Sequence, residues 1–158
     1  RMALRQIRVE GDPILRKRSR DVEKIDERLL ELLDDMVETM RAANGIGLAA
    51  PQVGVLKRVI VIDVGEKPIK AINPRIVEKE GAIRDIEGCL SVPQMRGTVE
   101  RPERIKVTFM NENGEHLVME PSGYLARVFC HEIDHLDGIL YTDMATDIYN
   151  EAQEDDEE

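Results

Sequence analysis

Two of the chain's three histidines fall in His131-Glu132-Ile133-Asp134-His135, with an acidic residue directly after the first imidazole. Read as α-helix, a separation of four residues advances about 6 Å and turns about 400°, so the two rings stand one above the other on one face. Two imidazoles so placed can share a metal ion. Glu132 can then reach a water at that ion without being a ligand, which is the chemistry of metal-assisted hydrolysis. Catalytic centres of this kind commonly take three protein ligands and keep one position open. The residues that could supply the third are Cys89, Cys130, His116, Asp143 and Tyr141. Cys130 adjoins His131 and points about 100° away round the helix, which suits a buried core thiol. His116, beside Glu115, reads as an ordinary surface histidine. Cys89 sits in Glu87-Gly88-Cys89-Leu90-Ser91-Val92-Pro93, where glycine allows close backbone approach and Pro93 is expected to break strand pairing. A thiolate presented there, on a glycine-flanked loop, would complete the site.

Two further patterns compete for attention. His131 to Tyr141 spells H-E-x-x-H-x-x-G-x-x-Y, close to an extended metalloprotease motif that has a third histidine after the glycine. Tyr141 stands where that histidine would be, and 17 residues follow it, too few to carry the Met-containing turn of that class. Gly45-Ile46-Gly47-Leu48-Ala49-Ala50 satisfies a dinucleotide-binding fingerprint, but with a helix before it and a strand after it, the reverse of what the fingerprint requires. A helix end followed by closely packed small residues explains it better. Gln52, just beyond, either caps the loop backbone or offers an N–H to a developing oxyanion.

The elements that must position these residues follow from periodicity. Leu29, Leu30, Leu33, Met36, Val37 and Met40 recur at helical spacing after the N-cap candidate Asp26 and before the stop Asn44-Gly45. Arg58 to Asp63 reads as a strand, with weaker strands at Ile69 to Asn73 and Arg75 to Glu78 on either side of Pro74. Arg104 to Asn111 and Glu115 to Glu120 alternate around Asn113-Gly114 and predict a hairpin. Leu125, Val128, Phe129 and Glu132 return to the helical period, and Asp137-Gly138 closes that helix. The expected fold is α+β, with small, mostly antiparallel sheets around a central HExxH helix and an N-terminal amphipathic helix.

A length of 158 residues suits one domain, here residues 1–148, followed by an acidic, disordered tail at 149–158. Twenty-two Lys and Arg against 32 Asp and Glu give a net charge of −10, and six of the acidic residues lie between Glu151 and Glu158. Such a balance argues against a nucleic-acid surface. The longest apolar run, Val59 to Ile62, is far too short to span a bilayer. The first residues have no apolar stretch of a secretory signal. Two cysteines are too few for a disulfide framework and fit a reducing compartment, hence the cytoplasm.

Three segments together, Gly45-Ile46-Gly47-Leu48-Ala49-Ala50-Pro51-Gln52-Val53-Gly54, Glu87-Gly88-Cys89-Leu90-Ser91 and His131-Glu132-Ile133-Asp134-His135-Leu136-Asp137-Gly138, resemble the signature segments of the peptide deformylases, in the same order. The likeness runs from about Ile7 to Met144 and is similar to the compact bacterial form. It implies removal of the N-formyl group from the formylmethionine that begins nascent polypeptides, with release of formate. It implies Fe²⁺ as the metal, with Zn²⁺, Ni²⁺ or Co²⁺ as substitutes, bound by Cys89, His131 and His135. Glu132 would handle protons, while Gln52 and the Leu90 backbone N–H would hold the oxyanion. Ile46, Gly47 and Gly88 would pair with an extended substrate, and Ile46, Tyr124 and Val128 would line a side-chain pocket. The alternative activity is that of a metallopeptidase from another HExxH family. One departure is Cys130, where the family commonly has Gln. Another is the acidic C-terminal segment, in the place of the longer basic helix with which many relatives dock on the ribosome, so docking of that kind is not expected.

Overall fold

The computed structural model describes residues 3–152. Helix α1 (Glu27–Ala42) begins at Asp26, whose side chain accepts the Leu29 N–H. Strands β1 (Gly47–Ala49), β2 (Val59–Ile62) and β3 (Ile69–Glu80) follow. Beyond them come β4 (Ile83–Cys89), β5 (Val92–Arg101), β6 (Arg104–Met110), β7 (His116–Met119), helix α2 (Gly123–Leu136) and β8 (Thr146–Asn150). The strands form a five-stranded sheet in the order β1-β2-β3-β6-β7 and a three-stranded sheet in the order β4-β5-β8. Every pairing between these strands is antiparallel. The fold class is α+β, and among the described residues no helix is long and apolar enough to cross a membrane.

The run Val59-Ile60-Val61-Ile62 is buried at every position because both faces of its sheet are covered. With the two-residue period of a strand, Val59 and Val61 join Leu29, Leu33, Met36 and Met40 of α1 in one core cluster. Ile60 and Ile62 join Phe129, Ile133 and Leu136 of α2 in another. The five-stranded sheet is thus sandwiched between α1 and α2. The three-stranded sheet has its own smaller cluster of Val92, Val99, Leu140 and Tyr141.

Four expectations need correction. The two weak strands around Pro74 are one strand, β3, because a register shift between Ile72 and Arg75, with Asn73 at φ 52°, absorbs the proline. Cys89 is not on a free loop but ends β4, which forms a hairpin with β5. Pro93 lies inside β5, in a stretch between Val92 and Gly97 without ladder partners on β4, where Gln94 takes φ 68°. The ordered chain also continues past 148, since Tyr149 and Asn150 pair with Arg96 and Met95 of β5. Residues 153–158, the greater part of the expected tail, lie outside the described residues.

Candidate metal-dependent active site

Helix α2 is amphipathic in an unusual sense, since both sides are dry. Ala126, Phe129, Cys130 and Ile133 enter the apolar cluster, while Arg127, His131, Glu132 and His135 are buried although they are polar. The helix ends because Gly138, at φ 74°, turns the chain under Arg16, and a Cβ there would stand 2.6 Å from the Arg16 carbonyl oxygen.

Cys89, His131 and His135 converge, with donor atoms all within 4.8 Å of one another. The Sγ of Cys89 lies 3.3 Å from His135 Nε2, and the two imidazoles meet edge to face with centroids 5.1 Å apart. In a tetrahedral site with metal–sulfur and metal–nitrogen distances near 2.3 and 2.0 Å, neighbouring donors stand about 3.5 Å apart. The spacing therefore fits one ion. Donor chemistry fits as well: the Nδ1 of His131 is taken by Glu87 Oε1 at 2.8 Å, leaving Nε2 for coordination in the way that carboxylate–imidazole pairs fix the tautomer. Burial pushes His135 well below its usual pKa, which favours the neutral imidazole a metal requires.

Around this triad lies a buried ionic network. Glu87 accepts from Arg101 Nε at 2.9 Å and Nη2 at 3.0 Å, and from Arg127 Nη1 at 2.6 Å. Arg101 also donates to Asp134 at 2.6 Å. Burial alone would raise the Glu87 carboxyl, but hydrogen bonds from His131 and Arg101 outweigh it and hold the group at about 2. Glu132 is the reverse case: burial raises it to about 7, and its Oε1 has no hydrogen-bond partner. A carboxyl poised there exchanges protons readily near neutrality. Its room depends on Gly47, where a Cβ would stand 2.5 Å from Glu132 Oε2.

Gln52 is buried and caps the loop backbone, the first of the two roles expected of it. Its Oε1 accepts the Ala49 N–H at 2.9 Å, and its Nε2 donates to Ser91 Oγ at 3.0 Å while facing Cys89 Sγ at 3.6 Å. The amide is thereby fixed with its N–H groups toward the triad. A cleft of about 610 Å³ opens over these groups. Ile46, Gly47, Gln52, Gly88, Cys89, Leu90, Tyr124, Val128, His131 and Glu132 all line it, and His135 is buried behind. Tyr124 is 59% exposed at the cleft mouth, whereas Val128 is buried.

The other candidates for a third ligand fall away. Cys130 is in the apolar core, and burial raises its thiol to about 11. His116 is exposed on β7, and Asp143 is held by Arg16 at 2.7 Å. Tyr141 stacks on His131, with centroids 6.0 Å apart, and burial pushes its phenol up to about 12, so it stays a neutral packing partner. Sequence reasoning missed Glu87, Ser91, Arg101 and Arg127. Arg127 carried a signal, since it shares the helical stripe of His131 and His135 at four-residue steps.

Residues 4–151 match the family model described as polypeptide deformylase. The chain is 62% identical over 142 residues to the peptide deformylase of Acetivibrio thermocellus, covering 90% of this chain and 84% of that protein. It is 58% identical to peptide deformylase 1 of Clostridium acetobutylicum, covering 90% and 95% respectively. The crystal structure of peptide deformylase from Thermotoga maritima superposes with a TM-score of 0.89 at 48% identity, over 91% of this chain and 99% of that one.

Proposed function

The chain belongs to the polypeptide deformylase family, and on that premise we propose that Cys89, His131 and His135 hold its metal ion and that Glu132 is its proton carrier. The enzyme hydrolyses the N-formyl amide of N-terminal formylmethionine in nascent polypeptides, the activity of this family. The observation that carries the residue assignment is the convergence of three donor atoms beside a buried, unpartnered carboxyl oxygen.

When bound, the ion supplies Lewis acidity, polarising the formyl carbonyl and making water more acidic. Glu132 accepts the proton that water gives up and later delivers it to the departing amine, leaving formate and a free N-terminus. Gln52 Nε2, already held by Ser91, donates to the oxygen that gains charge at the formyl carbon, together with the backbone N–H of Leu90. The substrate lies extended along Ile46-Gly47 on one side and Gly88 on the other, pairing with them as an added strand. Its methionine side chain enters the apolar wall formed by Ile46, Tyr124 and Val128.

A thiolate with two imidazoles suits iron, zinc, nickel and cobalt. We assign Fe²⁺ as the native ion on the likeness to compact bacterial deformylases. The protein is assigned to the cytoplasm, where its thiols stay reduced. Contact with a ribosome would not run through the acidic segment after Glu151, which phosphate repels. The test is metal analysis of anaerobically purified protein coupled to formate release from formyl-Met-Ala. One iron per chain with activity proportional to iron supports the assignment, and activity independent of metal content refutes it.

A further inference from the structure

The donor atoms of the proposed centre come from two bodies of the fold. Cys89 ends β4 of the three-stranded sheet, while His131 and His135 stand on α2, whose apolar face is anchored to the other sheet. The crossing between these bodies is polar. Arg127, one turn before His131 and 6% exposed, places its guanidinium on three acceptors. Nη2 donates to the Ile83 carbonyl at 2.8 Å, at the start of β4. Nη1 donates to the Val99 carbonyl of β5 at 3.0 Å and to Glu87 Oε2 at 2.6 Å, two residues before Cys89. All three acceptors lie on the sheet that carries the thiol, and the stem rises from the helix that carries the imidazoles.

From this geometry we infer that Arg127 is a positioning residue, which sets the separation between the Cys89 sulfur and the two imidazoles by tying β4 and β5 to α2. The inference rests on the ligand assignment above. A guanidinium is suited to the task because its fork fixes several acceptors in one plane, where an ammonium would act as a single point charge. Arg101 crosses the same gap from the opposite direction, from β5 to Asp134, so each body sends one arginine into the other. Outer partners that orient metal ligands typically govern metal affinity by about 10- to 100-fold.

The test compares wild type, Arg127→Met and Arg127→Lys loaded with cobalt(II). Affinity is read by chelator competition and the sulfur–metal geometry by the thiolate-to-cobalt charge-transfer absorption, at a temperature where each variant is folded. Arg127→Met, which keeps the stem, is expected to bind cobalt about 10- to 100-fold more weakly with a weakened or shifted band. Arg127→Lys is expected to recover part of both. If Arg127→Met loses melting temperature but keeps wild-type affinity and band, Arg127 is only a structural clamp and the inference is overturned. Should Arg127→Met not fold, Arg127→Lys decides: unchanged affinity and band overturn the inference, and an intermediate loss supports it. A wild-type protein that binds cobalt without any thiolate band would instead sink the ligand assignment, and the inference with it.

Discussion

The face of α2 that meets the five-stranded sheet and the face that meets the three-stranded sheet are both buried, yet different forces hold them. On the first, Phe129 packs 6.0 Å from Phe109 and Ile133 and Leu136 complete an apolar cluster. On the second, Glu87, Arg101, Arg127, Asp134 and His131 form a closed set of charge-assisted hydrogen bonds. Apolar burial is non-directional and stabilises roughly in proportion to area. It fixes where the helix lies without dictating which way a ring points. Charged hydrogen bonds are directional, but removing their partners from water can cost more than their attraction returns. The comparison teaches a division of labour: the apolar side bears the stability, and the charged side spends some of it to orient two imidazoles and a thiol.

The sharpest way to break this comparison is Glu132→Gln. Turnover in formate release is expected to fall by about 10²- to 10⁴-fold. Stability is expected to move the other way. The folded-state pKa of Glu132 is raised from 4.5 to about 7, so its ionisation weakens folding increasingly as pH rises through that interval and is fully felt above it. Metal-free Glu132→Gln should therefore melt higher than wild type at pH 8, with the gain absent near pH 4. An equal gain at both pH values would contradict the assignment of a buried, reluctant carboxylate.

The apolar side is tested by Phe129→Ala, expected to cost about 3 to 5 kcal/mol in denaturant unfolding. Turnover per folded molecule should stay near wild type, because the ring lies on the face away from the triad. A loss of turnover in the folded fraction would erase the distinction between the two faces. Gln52→Ala should lower kcat by about 10²- to 10³-fold with a smaller change in KM, since an oxyanion donor acts mainly in the transition state. The smallest effect is expected from Asp26→Ala, about 1 kcal/mol of stability from the lost cap and unchanged turnover.

How much of this was legible in the sequence follows the same division. Helix α1 could be read because its leucines and methionines repeat on one face and Asp26 precedes them. The β6–β7 hairpin was marked by Asn113-Gly114, and Gly114 indeed takes φ 79°. The three side chains that converge, Cys89, His131 and His135, could be singled out because two sit one helical turn apart and the third lies in a segment resembling the family's. The charged side was not legible. Glu87 and Arg101 carry no local pattern that marks them as buried, and although Arg127 shares the stripe of the two histidines, its partner is not announced: the pairings run across 14 and 40 positions. The β4–β5 hairpin was hidden for a related reason: Pro93 and Gly88 look like strand breakers, and only the bulge between Val92 and Gly97 accommodates the proline inside a strand.

The central claim is that one sulfur and two imidazole nitrogens surround a single ion. X-ray absorption at the metal edge of the anaerobically purified enzyme tests it most directly. The account predicts one sulfur scatterer at about 2.3 Å with two nitrogens near 2.0 to 2.1 Å, and loss of the sulfur shell in Cys89→Ala. A first shell of nitrogen and oxygen alone in the wild-type protein would contradict it.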